Sequence, residues 1–202
     1  MTVTEDEFDH RIILASSSPR RRHLLELIGL PFEVVAPEAD EEPRVGEEPI
    51  SFSRRAARDK ALEVAHRQPG RPILGADTVV EIDHTILGKP GSPDAAEEML
   101  RILSGREHLV HTAVALVNDG SSNDIVDTAR VRCVDLSERV ISWYVSTGEP
   151  LDKAGAYGVQ GLGGLLVEKV EGSPHTVIGL PIHRLPELFA THNLDFWSRL
   201  NV

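Results

Sequence analysis

Cysteine is almost absent from this chain of 202 residues, Cys133 being the only one. It excludes an internal disulfide and a thiolate metal cluster, and makes a reducing compartment the natural expectation. No apolar run approaches the length needed to span a membrane. Residues 1–10 are acidic and lack the basic start and apolar core of a signal peptide, so they read as a mobile leader to a cytoplasmic protein. Basic residues are in the minority, 21 Lys and Arg against 32 Asp and Glu, for a net charge of −11. Nucleic acid and anionic membranes select basic surfaces, so neither is an expected partner, whereas a small anion in a locally basic cleft is still allowed. Internal repeats and low-complexity segments are also missing, and the length suits a single domain over 11–202.

What is present begins with Ile12-Ile13-Leu14-Ala15, an apolar run suited to a buried strand, followed by Ser16-Ser17-Ser18-Pro19. Ser18 can cap a helix that starts at Pro19 and buries Leu24, Leu25, Leu27 and Ile28, with Gly29 closing it. Arg20 and Arg21 then fall in the first turn, where free N–H groups and the helix dipole favour anions over cations. A polyanion would resolve that conflict, since serine hydroxyls, amides and guanidiniums would converge on its oxygens. A capped amphipathic helix with solvated arginines fits the same pattern.

Residues 31–36 read as a second strand leading into the acidic, proline-bounded loop 37–43, which is either a solvated connection or a source of carboxylates for a hard cation, with Glu41 the candidate. A helix follows over 50–68, with Ser51 as its cap and Phe52, Ala56, Leu62 and Ala65 near helical spacing; its polar side carries Arg54, Arg55, Arg58 and Lys60. Ile73 to Ile82 is the expected central strand, apolar on both sides of Ala76-Asp77-Thr78. A carboxylate inside a buried strand needs a partner. Asp77 is therefore either a structural aspartate satisfied by neighbours or a metal ligand or general base. Gly75 allows close approach of backbone or ligand. Asp83-His84 reads as a hairpin turn whose return strand ends in Gly88-Lys89-Pro90, bringing Lys89 back toward Asp77.

A scaffold helix from Ser92 and a long hairpin, 108–117 and 125–134 around Asp119-Gly120, come next. His108 and His111 fall on opposite faces of a strand, which argues for hydrogen-bonded or surface histidines over a shared metal site. A helix over 137–147 precedes the glycine-rich, aperiodic segment 148–161; a long irregular segment in a compact domain is functional or disordered, and its aliphatic and aromatic residues favour the former. A strand over 165–170, a turn over 171–175 and a last helix over 182–191 complete the chain. Walker-loop glycine spacing is missing around Lys89, and no Ser-His-Asp order stands out, so attack by water is favoured over a covalent route.

Four ordered motifs carry a resemblance. Leu14-Ala-Ser-Ser-Ser-Pro-Arg-Arg-Arg-His-Leu-Leu25, Ala76-Asp77-Thr78 with Gly88-Lys89-Pro90 after a hairpin, Gly148-Glu-Pro-Leu-Asp-Lys-Ala-Gly-Ala-Tyr-Gly-Val-Gln-Gly161 and Gly179-Leu180-Pro181 together resemble the Maf family of nucleoside triphosphate pyrophosphatases. Asp40-Glu41 is similar to that family's acidic pair, and Lys60 to its lysine near the nucleotide. The resemblance implies an α/β, Maf/ITPase-like fold, a mixed bent sheet flanked by helices with a cleft between two lobes, often as a homodimer. It implies hydrolysis between the α- and β-phosphates, with Ser16, Ser18, Arg20, Arg21, Lys60, Lys89 and Lys153 on the substrate, Asp77 as base and Glu41 and Asp77 as ligands of Mg2+ or Mn2+. The Asp77 and Glu41 roles are interchangeable at this point. Arg21, Thr78 and Gln160 resemble the branch acting on dTTP and UTP, with a 7-methyl-GTP branch and a nonhydrolytic nucleotide sensor in division control as the alternatives.

Overall fold

The computed structural model describes residues 11–39 and 42–201; the expected leader 1–10 lies outside them. β1 (Ile12–Ala15) is fully buried, as its unbroken apolar run requires. α1 (Pro19–Leu27) starts at proline and stops before Gly29, whose φ of 68° is the left-handed backbone expected after a helix end. β2 (Phe32–Val34), α2 (Pro49–Arg67), β3 (Ile73–Ile82) and β4 (Thr85–Leu87) follow. Then come α3 (Pro93–Leu103), β5 (Glu107–Asn118), β6 (Ser121–Cys133), α4 (Glu138–Ser146), β7 (Val167–Glu171), α5 (Pro174–Ile178) and α6 (Leu185–Ala190).

The strands form one mixed sheet in the order β2-β1-β3-β5-β6-β7, with β4 added to β3. β1 is parallel to both β2 and β3, while the remaining pairings are antiparallel. Because successive strand residues face opposite sides, Ile12 and Leu14 join the core under α1 and α6, and Ile13 and Ala15 join the core under α2. The crossovers on either side of β2 therefore cover opposite faces. That makes the β1/β3 boundary a switch point, where α/β sheets leave a crevice beyond the strand carboxyl ends.

β3 is long enough to outrun its neighbour on that edge. Its residues Ile73 to Gly75 pair with β1, and Val80 to Ile82 pair with β4, so Ala76 to Val79 face a gap between the two strands. Its other edge is zipped to β5 without a break from Ile73 to Glu81. The cores also part there. Ala76 and Val114 belong to the cluster under α1 and α6, whereas Val80 and Val110 belong to a second cluster with α3 and α4. The mixed α/β sheet flanked by helices is the expected fold class, and this gap is its cleft.

Several local expectations are corrected. Leu27 is 65% exposed, because α1 turns only Leu24 and Leu25 fully inward. α2 starts at Pro49, with Glu48 and not Ser51 in the N-cap position and no capping bond from its side chain, and its buried face runs through Phe52, Ala56, Ala57, Lys60, Ala61 and Val64. The expected turn at 171–175 continues into α5, since Pro174 begins a helix as readily as it makes a turn, and the last helix is interrupted near Leu185. Segment 148–161 is a succession of tight 3-10 turns.

Candidate active site

The gap in the β3 edge opens into a cleft of about 490 Å³. Three chain segments turn into it for reasons set by the sheet. β1 ends at Ala15 and throws Ser16, Ser17 and Ser18 across the gap before α1 begins. β4 ends at Leu87 and delivers Gly88 and Lys89 from the opposite side, after a hairpin whose Asp83 and His84 adopt φ of 49° and 61°. The 3-10 segment closes the front with Asp152, Lys153, Tyr157 and Gln160.

Asp77 and Lys60 form the floor. Lys60 leaves α2 on its buried face, not on the polar face, and its Nζ lies 2.7 Å from Asp77 Oδ1, with 3% and 8% of the two residues exposed. The partner that the strand aspartate requires is therefore a lysine 17 residues earlier. α2 comes this close because Gly75 has no side chain; a Cβ there would sit 2.3 Å from the carbonyl oxygen of Ala57.

Arg21 is more tightly held than a solvated first-turn arginine. Its Nε donates to the Gly179 carbonyl at 2.8 Å, Nη1 to Ser16 Oγ at 3.1 Å and Nη2 to Thr78 Oγ1 at 3.2 Å. Thr112 Oγ1 donates to the Thr176 carbonyl at 2.7 Å, so the 3.0 Å bond between the two threonines is donated by Thr78. The resulting chain of hydrogen bonds fixes Thr78 from β3 through β5 to α5. Ser18 occupies the N-cap position of α1, but its side chain makes no capping bond; its amide donates to Ser16 Oγ at 3.2 Å.

At the mouth Asp152 bridges two cations, accepting from Lys153 Nζ at 2.7 Å and from Arg20 Nη1 at 3.2 Å. Burial pushes the Asp152 carboxyl up, but Lys153 and then Arg20 outweigh it and hold it below the usual carboxylate range. Among the described residues the lining carries Arg20, Arg21, Lys60, Lys89 and Lys153 against Glu42, Asp77 and Asp152. A strongly acidic protein thus concentrates positive charge in one concavity, the arrangement that attracts a small polyanion.

Every residue read as a site residue from the sequence lines this cleft, except Glu41, which with Asp40 lies outside the described residues; Ser16, Ser18, Arg20, Arg21, Lys60, Asp77, Thr78, Lys89, Lys153 and Gln160 meet there. His108 and His111 are both buried and hydrogen-bonded, His108 to the Tyr157 hydroxyl at 2.6 Å and His111 to Glu81 at 2.7 Å and Thr128 at 2.8 Å. Sequence reasoning passed over Asp152, Thr112 and Glu149. Thr112 carried a signal, being a hydroxyl within the apolar run of a central strand, as Asp77 is a carboxylate in one.

The family profile described as Maf-like protein matches residues 11–192. The chain belongs to the Maf family. Relatives of this Maf chain include three proteins named dTTP/UTP pyrophosphatase. That of Symbiobacterium thermophilum is 47% identical over 178 residues, covering 88% of this chain and 92% of the relative. That of Nitratidesulfovibrio vulgaris is 48% identical over 181 residues, covering 89% and 86%. One from Bacillus cereus is 42% identical over 185 residues, covering 92% and 97%. The matched spans contain all the Maf cleft segments described above, from β1 to α5.

Proposed function

We propose that the cleft hydrolyses dTTP and UTP to the monophosphate and pyrophosphate. One observation carries the reading: the gap in the β3 edge gathers cations, hydroxyls and a buried carboxylate from β1, α2, β3, β4 and the 3-10 segment into one concavity of nucleotide size. The names of the relatives point to the same activity.

Arg20, Lys89, Lys153 and the serine hydroxyls would hold phosphate oxygens. Lys60 fixes Asp77 through one oxygen and leaves the other to accept a proton from the attacking water. Gln160, exposed at the mouth, both donates and accepts, which suits the neighbouring carbonyl and N–H of a uracil or thymine edge. Arg21 holds Thr78 and the serine turn in place.

The lining suits a hard divalent cation, since Asp77 and Glu42 offer carboxylate oxygens and neither cysteine nor histidine lines the cleft among the described residues. Glu41 of the acidic loop would hold Mg2+ or Mn2+ with Asp77 as the base, or Asp77 would hold the ion with the two roles exchanged; the ion would supply neutralisation of charge on the phosphoryl oxygens. No helix among the described residues is long and apolar enough to cross a membrane. The cytoplasm, where the nucleotide pool lies, is the proposed compartment, and a homodimer the proposed assembly, to be checked by its mass in solution.

The test is incubation of the purified protein and Mg2+ or Mn2+ with dTTP, UTP, CTP, GTP and 7-methyl-GTP, followed by chromatography. Monophosphate and pyrophosphate from dTTP and UTP are expected. Diphosphate and phosphate would refute cleavage between the α- and β-phosphates, turnover of 7-methyl-GTP alone would refute the pyrimidine assignment, and no turnover with either ion would favour the nucleotide-sensor reading.

A further inference from the structure

The segment that closes the front of the cleft has no regular ladder of its own. From Gly148 to Gly163 the chain runs through three short 3-10 turns, and within that span it presents Asp152, Lys153, Tyr157 and Gln160 to the cleft. Something must hold its ends together. At the first end stands Glu149, which lines no part of the cleft. Its carboxylate reaches across to the other end, where Oε2 accepts the amide of Leu162 at 3.1 Å and Oε1 that of Gly163 at 3.0 Å. Oε1 also accepts the hydroxyl of Tyr144, a fully buried residue of α4, at 2.9 Å.

The main chain has been cleared for this crossing. Gly161 has φ of 69°, and a Cβ on it would lie 2.9 Å from Glu149 Oε2. A Cβ on Gly163 would lie 2.3 Å from the carbonyl oxygen of Gly158 and 2.5 Å from the Tyr144 hydroxyl. Successive amides converging on one carboxylate form an anion-binding nest, here filled from within the chain. The same residue also reaches inward, since the Glu149 carbonyl accepts from Lys153 Nζ.

We propose that Glu149 is a positioning residue: its carboxylate closes the 149–163 loop and thereby presets Lys153 for phosphate and Gln160 for the base. The proposal rests on the nucleotide-hydrolysing reading given above. A carboxylate is specifically suited to the place. Three donors need acceptor capacity on both oxygens, and glutamine would offer one oxygen and set an NH2 against the donors on the other side. Aspartate is one methylene too short to keep its backbone position and span the crossing. Tyr144→Phe removes a single donor and leaves both amide bonds in place.

The variants Glu149→Gln and Tyr144→Phe test this. For Glu149→Gln, kcat/KM on UTP should fall about 10- to 100-fold, the usual size of effect when a residue that orients a binding group is lost. The loss should lie mainly in KM, the preference for UTP over CTP should shrink, and amides of 150–163 should exchange hydrogen faster while those of β3 and β5 do not. Tyr144→Phe should shift each readout the same way by less. Unchanged exchange over 150–163, or unchanged KM and UTP/CTP preference accompanied only by lower thermal stability, would overturn the proposal. Should the wild type turn over no nucleotide, the functional reading fails, while hydrogen exchange still decides whether Glu149 presets the loop.

Discussion

Removing either half of the Lys60–Asp77 pair should damage the protein more than removing both. At 2.7 Å and an effective dielectric of about 20, the two charges attract by roughly 6 kcal/mol before desolvation is counted. Desolvation offsets much of that, so the intact pair contributes little net stability, but breaking such a buried pair by removing one partner costs about 3–5 kcal/mol. Lys60→Met should therefore lower the melting temperature by roughly 6–20 °C for a domain of this size. Asp77→Asn should lie at the lower end, because the amide oxygen still accepts from the ammonium. The double variant should regain at least half of the summed loss, since neither charge remains. Urea unfolding of the four proteins, followed by circular dichroism, gives the coupling energy directly. Catalysis should stay abolished in the double variant despite its recovered stability, which separates the scaffold role of the pair from the chemical role proposed for Asp77. Single-variant losses below about 0.5 kcal/mol that simply add would refute the reasoning, for they would mean that the pair is solvated.

Asp152→Asn should tighten pyrophosphate binding about two- to tenfold by calorimetry, because two exposed ion pairs of roughly 0.2–1 kcal/mol each no longer compete for Arg20 and Lys153; weaker binding would show that Asp152 aids the site. Gly75→Ala should destabilise the fold by about 1–3 kcal/mol or more in the same unfolding assay, since the new Cβ meets helix backbone that has nowhere to move. Arg21→Lys keeps the charge but loses the planar fork that reaches Gly179, Ser16 and Thr78 together, and should cut kcat/KM about 10- to 100-fold; near-normal kinetics would leave the arginine with a charge-only role. Burial holds the His108 imidazole down to about 4, against about 6.5 unfolded, so between those values the unfolded chain binds a proton that the native one does not. Stability should thus be lost as pH falls from 6.5 to 4, by up to about 3 kcal/mol, and His108→Gln should flatten that slope in urea titrations.

The sequence made some parts of this architecture plain and hid others. Strand β1, the Pro19 and Pro93 helix starts and the two hairpin turns are governed by residues a few positions apart, so local pattern was enough. Asp77 also stood out locally, as a charge in an apolar run. Its partner did not: Lys60 sits among Arg54, Arg55 and Arg58, and one turn of helix decides which of these points inward. That choice depends on Gly75, on a different element. The resemblance named Lys60, whereas periodicity alone left it on the solvated face. Likewise Glu149 and Asp152 stood inside a recognised motif without a role, because their partners, Tyr144, Gly163 and Arg20, are brought to them only by the fold. The short α5 was missed because proline and serine announce a turn and a helix start in the same letters.

Asp77 and Thr78 are neighbours in the chain, yet the pleat of β3 sends one toward α2 and the other toward α1 and α5. The strand thereby acts as a partition with separate tenants on its two sides. A change at Thr78 alters contacts with Arg21 and Thr112 without touching Lys60, and a change at Lys60 leaves that hydroxyl chain alone. In unfolding assays, loss of the Thr78 hydroxyl and loss of the Lys60 ammonium should add closely, since the two sets of contacts share no member, whereas ligand binding in the common cleft should feel both. A ligand in the cleft would thus meet two walls that are braced separately, so weakening one brace need not loosen the other.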